Sequence, residues 1–264
     1  MLIYAIETFK AAAEQYEQLG EAVGSYASTL DTAGFIFHKG RMEYQDDSQQ
    51  THYVGGVLCH PDALQDSLAH TSISELRLQI DSLVCSPPMV QRYDYGIPQE
   101  PGYCTHDTWQ SVTVCLRNPW LPASPIRCNE CGGFVALYRL NLSEAVRSEL
   151  RGWAMDYEGI YPFWSLSGDY ESWAAKELFD VNSGLNQCGL AAAAAMAKET
   201  GWDVSYSLET DLDETIDNGG FEVHLRCPKC GGPFRRIDDP PWNAHCPRCR
   251  IVTLQPDEEG DGSA

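Results

Sequence analysis

Residues 226–250 read RCPKCGGPFRRIDDPPWNAHCPRCR, two Cys-Pro-x-Cys knuckles with fifteen residues between the inner cysteines. Two CxxC pairs at this separation match the ligand spacing of a tetrahedral zinc site, each knuckle offering two sulfurs from one tight turn. Pro228 and Pro247 stiffen the turns, and Gly231-Gly232 supplies the unusual backbone angles by which the chain leaves the first knuckle. The expected ligands are Cys227, Cys230, Cys246 and Cys249, holding one structural Zn²⁺. His245 is read as a surface residue, because four sulfurs already fill the tetrahedron.

Working outward, RCNECGGF at 127–134 echoes RCPKCGGPF at 226–234, with Arg, CxxC and Gly-Gly in the same order. It has no second knuckle of its own nearby. Cys128 and Cys131 could complete a second zinc site with Cys104, His106, Cys115 or Cys85. They could equally form a metal-free turn with two buried thiols, since free cysteine packs as a small hydrophobe. Both readings stand at this point.

At 264 residues the chain is long enough for two domains plus a ribbon. Its 43% hydrophobic and 21% charged content is that of an ordinary globular protein. The start, MLIYAIETFKAAAEQYEQ, lacks a basic region, a long apolar run and a small-residue cleavage site, so no signal peptide is expected. No apolar run reaches the roughly 18 residues of a membrane span. Eleven cysteines with three CxxC pairs and no secretion signal point to a reducing cytoplasm. The formal charge is −20, against what a duplex-binding protein carries. It is unevenly spread: residues 221–250 hold six Lys or Arg against three acids, whereas residues 1–220 carry a net −19.

The rest of the chain predicts an α+β protein. Residues 2–6 read as a short strand, Thr8 to Leu30 as an amphipathic helix, and Phe35–Phe37 as the next strand. A polar loop is expected over 39–51, a strand over 51–59 and a helix from Pro61. Residues 74–84 suit either a helix or a strand. These alternations predict an α/β sandwich of ferredoxin-like type for residues 1–120. Seven prolines make 86–125 a connector around one strand, 111–116. A second α+β domain with the CxxC turn is expected over 121–220. It holds a strand at 134–140, a helix opened by the Asn141–Glu144 capping box, an aromatic segment 157–173, an alanine-rich helix 185–200 and a strand 203–208. Residues 221–250 form the zinc ribbon, entered by a strand at 221–225, and 251–264 a disordered acidic tail.

From about Pro119 onward the chain resembles a bacterial zinc-ribbon-containing family of unknown function, for which a nucleic-acid role has been suggested. The resemblance rests on RCNECGGFVALYRL at 127–140, FWSLSGDYESWAAKEL at 163–178, GWDVSYSL at 201–208 and the closing CPKC and CPRC. It implies zinc on Cys227, Cys230, Cys246 and Cys249, and no catalytic residue.

No HExxH, GxSxG, phosphate loop or dinucleotide fingerprint is present, and none of the seven histidines falls in a recognised motif. A non-enzymatic protein is expected. The acidic body favours binding and neutralising a basic protein, in the manner of an immunity or antitoxin protein against a bacterial nuclease-type toxin. Candidate contact residues are Asp211, Asp213, Glu214 and Asp217, with Asp46 and Asp47 as further candidates. Solvated loops are the plainer account of the same acids. The alternative is a nucleic-acid-binding ribbon using Arg226, Lys229, Arg235, Arg236, Arg248 and Arg250, with Trp242 stacking on a base.

Overall fold

The computed structural model describes residues 3–47, 50–59, 62–94, 104–115, 124–209, 226–239 and 242–253. It divides into two compact units. The first takes in residues 1–103, 122–124 and 135–141, and the second takes 104–121, 125–134 and 142–264. The division expected near residue 120 thus falls at 103. Nor do the described residues of the expected ribbon stand apart, because strands at 235–239 and 242–246 are built into the second unit's sheet.

The first unit runs β1 (Ile3–Ala11), α1 (Tyr16–Thr32), β2 (Ile36–Asp47), β3 (Gln50–Cys59), α2 (Ala63–Ser67), α3 (Thr71–Leu83) and β4 (Met89–Asp94). Its antiparallel sheet has the order β2-β3-β1-β4. Two βαβ halves interleaved in this order give the ferredoxin-like arrangement of elements. In β1, Ala5, Glu7, Phe9 and Ala11 are buried and the residues between them only half-buried, the period-two pattern of a strand with one covered face. That alternation carries the strand through Thr8–Ala11, where a helix was expected, and α1 begins only at Tyr16. Leu19, Ala22, Val23, Tyr26 and Leu30 then supply its buried stripe. The polar loop expected at 39–51 is instead a long hairpin, with Asp46 opposite Thr51 and Asp47 opposite Gln50. Residues 74–84 settle as helix, with Ile73 and Ile80 of α3 in the core. The proline-rich connector contains β4, which pairs with β1. Among the described residues, one ion pair lies inside: Arg77 Nη1 is 2.8 Å from Glu7 Oε1, and its guanidinium sits over Phe9 and Tyr26 at 5.7 and 5.8 Å.

The second unit contains β5 (Ser111–Val114), β6 (Ile126–Cys128), α4 (Glu144–Leu166), α5 (Glu171–Phe179), α6 (Gly184–Thr200), β7 (Asp203–Ser207), β8 (Arg235–Asp239), β9 (Trp242–Cys246) and β10 (Ile251–Thr253). They form a six-stranded mixed sheet in the order β6-β5-β7-β10-β9-β8, with β5, β7 and β10 parallel. The strand expected at 134–140 is a single bridge at Phe134 followed by a 3₁₀ turn, Leu137–Arg139. These residues return to the first unit, where Tyr138 stacks on Phe35 at 4.6 Å. Gly34, at φ +78°, lets them in, since a Cβ there would lie 2.6 Å from that of Leu137.

Ser143 caps α4, its Oγ accepting from Val146 N. The carboxylate of Glu199 completes this cap by accepting from Ser143 N and Oγ, a role the local capping box had given to Glu144. Asn186 of α6 is buried and fully used. Its amide donates to the carbonyls of Glu177, Leu178 and Asp180 at 2.9–3.0 Å, and its oxygen accepts from Tyr206 Oη at 2.6 Å. This network ties the α5–α6 turn to β7, as a satisfied buried polar group can. Among the described residues, no helix is long and apolar enough to cross a membrane. Residues 221–225 and 254–264, including the expected entry strand and most of the acidic tail, lie outside the described residues.

Candidate metal centres

Three turns in the second unit share one backbone design. In the first, Gly132 N donates to Cys128 O at 2.8 Å and Cys128 N to Gly133 O at 2.9 Å. In the second, Gly231 N donates to Cys227 O at 2.8 Å and Cys227 N to Gly232 O at 2.7 Å. Gly132 and Gly231 both have left-handed φ, +68° and +67°, where a side chain would be strained. The third turn repeats the closing bond, Arg250 N to Cys246 O at 2.7 Å, and Arg250 takes φ 54° in the glycine's place. The arginine before each of the first two knuckles also behaves alike. Arg127 Nε donates to Gly132 O at 2.9 Å and Arg226 Nη1 to Gly231 O at 3.0 Å. The echo seen in the sequence is therefore a structural repeat.

The register brings these turns to one end of the sheet. Cys128 closes β6 opposite Val112 at the start of β5, and Cys246 closes β9 opposite Ile251 at the start of β10. There the side chains gather into two four-donor groups: Cys227, Cys230, Cys246 and Cys249, and Cys104, His106, Cys128 and Cys131. Within each group the ligand atoms all lie within 4.8 Å of one another. None of the eleven cysteines is in a disulfide.

The spacings suit a bound ion. A tetrahedral thiolate site with bonds of about 2.3 Å holds its sulfurs about 3.8 Å apart, against about 2.05 Å in a disulfide. Cys230 Sγ and Cys246 Sγ are 3.7 Å apart. With a metal–nitrogen bond of about 2.05 Å, the tetrahedral S···N distance is about 3.6 Å. Cys128 Sγ lies 3.4 Å from His106 Nδ1.

Each group has outer support of the kind that fixes metal ligands. Trp109 Nε1 donates to Cys104 Sγ at 3.3 Å, with both residues buried. Cys104 N is held by Phe134 O at 2.8 Å. Asn129, inside the first knuckle, accepts from Thr113 Oγ1 at 2.8 Å and donates to Ser111 Oγ at 2.7 Å, fastening the turn to β5. In the other group, Gly232 donates its N–H to Cys230, and this, with the neighbouring thiols, brings Cys230 down to about 7. A Cβ at Gly232 would come 3.3 Å from that sulfur. Burial pushes the Cys128 and Cys249 thiols up to about 12.

Of the partners that the sequence left open for Cys128 and Cys131, the structure brings Cys104 and His106. Cys115 is buried against Val252, and Cys85 belongs to the first unit, its Sγ 3.3 Å from Lys10 O. Nothing in the sequence ranked Cys104-x-His106 above the other two candidates, because the pair lies more than twenty positions upstream of the knuckle. Around the Cys₄ group, Arg226, Lys229, Arg235, Arg248 and Arg250 are exposed, and Arg250 Nε is 3.7 Å from Asp203. Arg236 and Trp242 are on β8 and β9. Asp46 and Asp47 are on the β2–β3 hairpin of the other unit. Asp211, Asp213, Glu214 and Asp217 lie outside the described residues.

No protein-family model matches the chain, and no curated protein matches it. Some solved structures are similar over part of the chain. A putative antibiotic biosynthesis monooxygenase from Deinococcus radiodurans is similar at 18% identity and a TM-score of 0.32, over 38% of this chain and 96% of its own. One from Nitrosomonas europaea gives 12% identity and 0.31, over 37% and 92%. A Streptomyces coelicolor monooxygenase solved with nanaomycin D gives 20% identity and 0.28, over 34% and 84%.

Proposed function

We propose that this is a non-enzymatic, zinc-stapled binding protein whose acidic surface captures and neutralises a basic protein, as an immunity protein does with a nuclease-type toxin. The observation that carries the reading is that both metal groups hold four protein donors. A catalytic zinc keeps a position open for water or substrate, whereas Cys₄ and Cys₃His sets close the tetrahedron. Thiolate-rich tetrahedral sets select Zn²⁺ among the common divalent ions, and cysteines outside any disulfide with this ligand pattern suit a reducing cytoplasm. With the metals given to stability, the net charge of −20 is the property left to recruit a partner. Charge of one sign steers a cationic protein and can mimic the phosphates it would otherwise bind.

The test is to purify the metal-loaded chain from its host and identify a stoichiometric basic partner whose activity it inhibits. Recovery of nucleic acid with no protein partner would count against the reading. A second reading has its own support. The exposed cations around the Cys₄ group, in a ribbon like that of the resembling bacterial family, fit single-stranded nucleic acid. In that case the full chain binds an oligonucleotide with strong salt dependence, and no binding at low salt excludes it.

A further inference from the structure

Helix α4 buries one face through Val146, Leu150, Trp153 and Tyr157. A helix covered on one side only is normally polar on the other. Here the outer face carries Met155, Phe163 and Leu166, exposed at 64%, 44% and 73%. Gly152 and Gly159 lie on the same face, so the positions step by three and four residues along one side of the helix. A Cβ added at either glycine would meet nothing within 4 Å, which leaves bare helical backbone between apolar knobs. Small residues at such positions let a second helix approach closely and receive its side chains. Tyr170 and Trp173, exposed at 59% and 49%, continue the strip. Phe163 contacts both rings edge-on at 5.8 and 6.1 Å.

The charge around this strip is predominantly acidic, with Arg151 and Lys176 standing at its two ends. Between Gly152 and Ala175 the chain carries Asp156, Glu158, Asp169 and Glu171 and no Lys, Arg or His. All four carboxylates are exposed. An apolar strip with exposed aromatic anchors and an acidic border is complementary to an amphipathic helix with basic flanks. A second copy of this chain is a poor occupant, because it would set the same carboxylates against each other in a protein of net charge −20.

We infer that the outer face of α4, with the start of α5, is the docking surface for a basic amphipathic helix of a protein partner. This rests on the capture of a basic protein proposed above and names where that capture occurs. The partner's apolar ridge lies over Gly152 and Gly159 and ends against Phe163 and Trp173. Its lysines or arginines meet the bordering carboxylates.

The test uses the full metal-loaded chain and two designed helical peptides, one of alternating Leu and Lys faces and one with Glu in place of every Lys. Two variants accompany it. Gly159→Leu fills the bare turn with a better helix former, and Leu166→Lys changes an exposed side chain; zinc content and circular dichroism verify that both are folded. The Lys peptide is expected to bind, more weakly as salt rises, and each variant to weaken it by about tenfold or more. Lys-peptide binding that neither variant changes overturns the docking surface while leaving acidic capture elsewhere intact. Failure of the Lys peptide to bind at all overturns both. Equal binding of the Glu peptide reduces the strip to unselective apolar contact and overturns the inference. So does a homodimer that Gly159→Leu dissolves, which would assign the strip to a second copy.

Discussion

Arg250 occupies a backbone position that the other two knuckles give to glycine, and it is the sole non-glycine residue at positive φ among those described. The left-handed conformation costs a side-chain-bearing residue roughly 1–2 kcal/mol, and the exposed approach to Asp203 offsets little of it. Allowing for the larger unfolded-state entropy of glycine, Arg250→Gly is expected to stabilise the protein by about 0.5–1 kcal/mol, read as a small rise in thermal midpoint. Gly189 shows the opposite case. A Cβ there would come 2.6 Å from Trp153 Nε1 and 2.8 Å from Tyr206 Cζ, both held in the core. Gly189→Ala should cost about 1–3 kcal/mol by overpacking, and a denaturant midpoint unchanged from the parent would refute it. Cys59 sets a pH dependence. Burial raises its thiol to about 12, so folding favours the neutral form. That stability is complete below the ordinary thiol pKa of about 8.5 and fades as pH rises towards 12. Cys59→Val should flatten the alkaline loss measured by denaturation at graded pH. Single residues were legible in the sequence where chemistry fixes spacing, as at Cys227, Cys230, Cys246 and Cys249. Gly189 and Arg250 were silent, because their importance comes from neighbours that the fold supplies.

The knuckle and the strand behave differently as elements. RCNECGGF was readable as a half-ribbon because its turn is made within eight residues, and the same hydrogen bonds recur in both copies. Cys104 and His106 were readable only as two of four candidate partners, since the choice among them depends on how the chain returns beside Phe134. Strands suffered most. The far end of the β2–β3 hairpin looked like a polar loop because ladder pairing needs no apolar alternation there, and β4 was hidden among prolines until β1 gave it a partner. Helices α4 and α6 were clear because each has a Ser cap or a Gly stop in addition to its periodicity. The two-centre reading gives an element-level prediction. Cys104→Ser should lower bound zinc from two ions per chain to one, measured by elemental analysis, and Cys246→Ser should do the same through the other centre. Two ions retained in Cys104→Ser would remove Cys104 from the ligand set.

At the scale of the whole chain, the sheet that links the two metal groups belongs to one unit, and all seven tryptophans fall in that unit's residues. Tryptophan emission therefore reports the second unit alone. The first unit's core, formed by α1, α3 and the inner face of its sheet, contains none of the eight metal donors. Both ends of the β6-to-β9 span are turns that metal would close, and the strands between are three to five residues long, at the short end of the usual range. Binding to such sites contributes folding free energy directly, and it requires deprotonated sulfur, so protons compete with the metal. Chelation at neutral pH is expected to red-shift tryptophan emission while amide-exchange protection in β1 and α1 persists. Acidification to about pH 5 should have the same effect without chelator, because protons displace zinc from thiolates, and adding zinc should shift that midpoint to lower pH. Emission and β1 protection lost together would show instead that the metals stabilise both units as one cooperative structure.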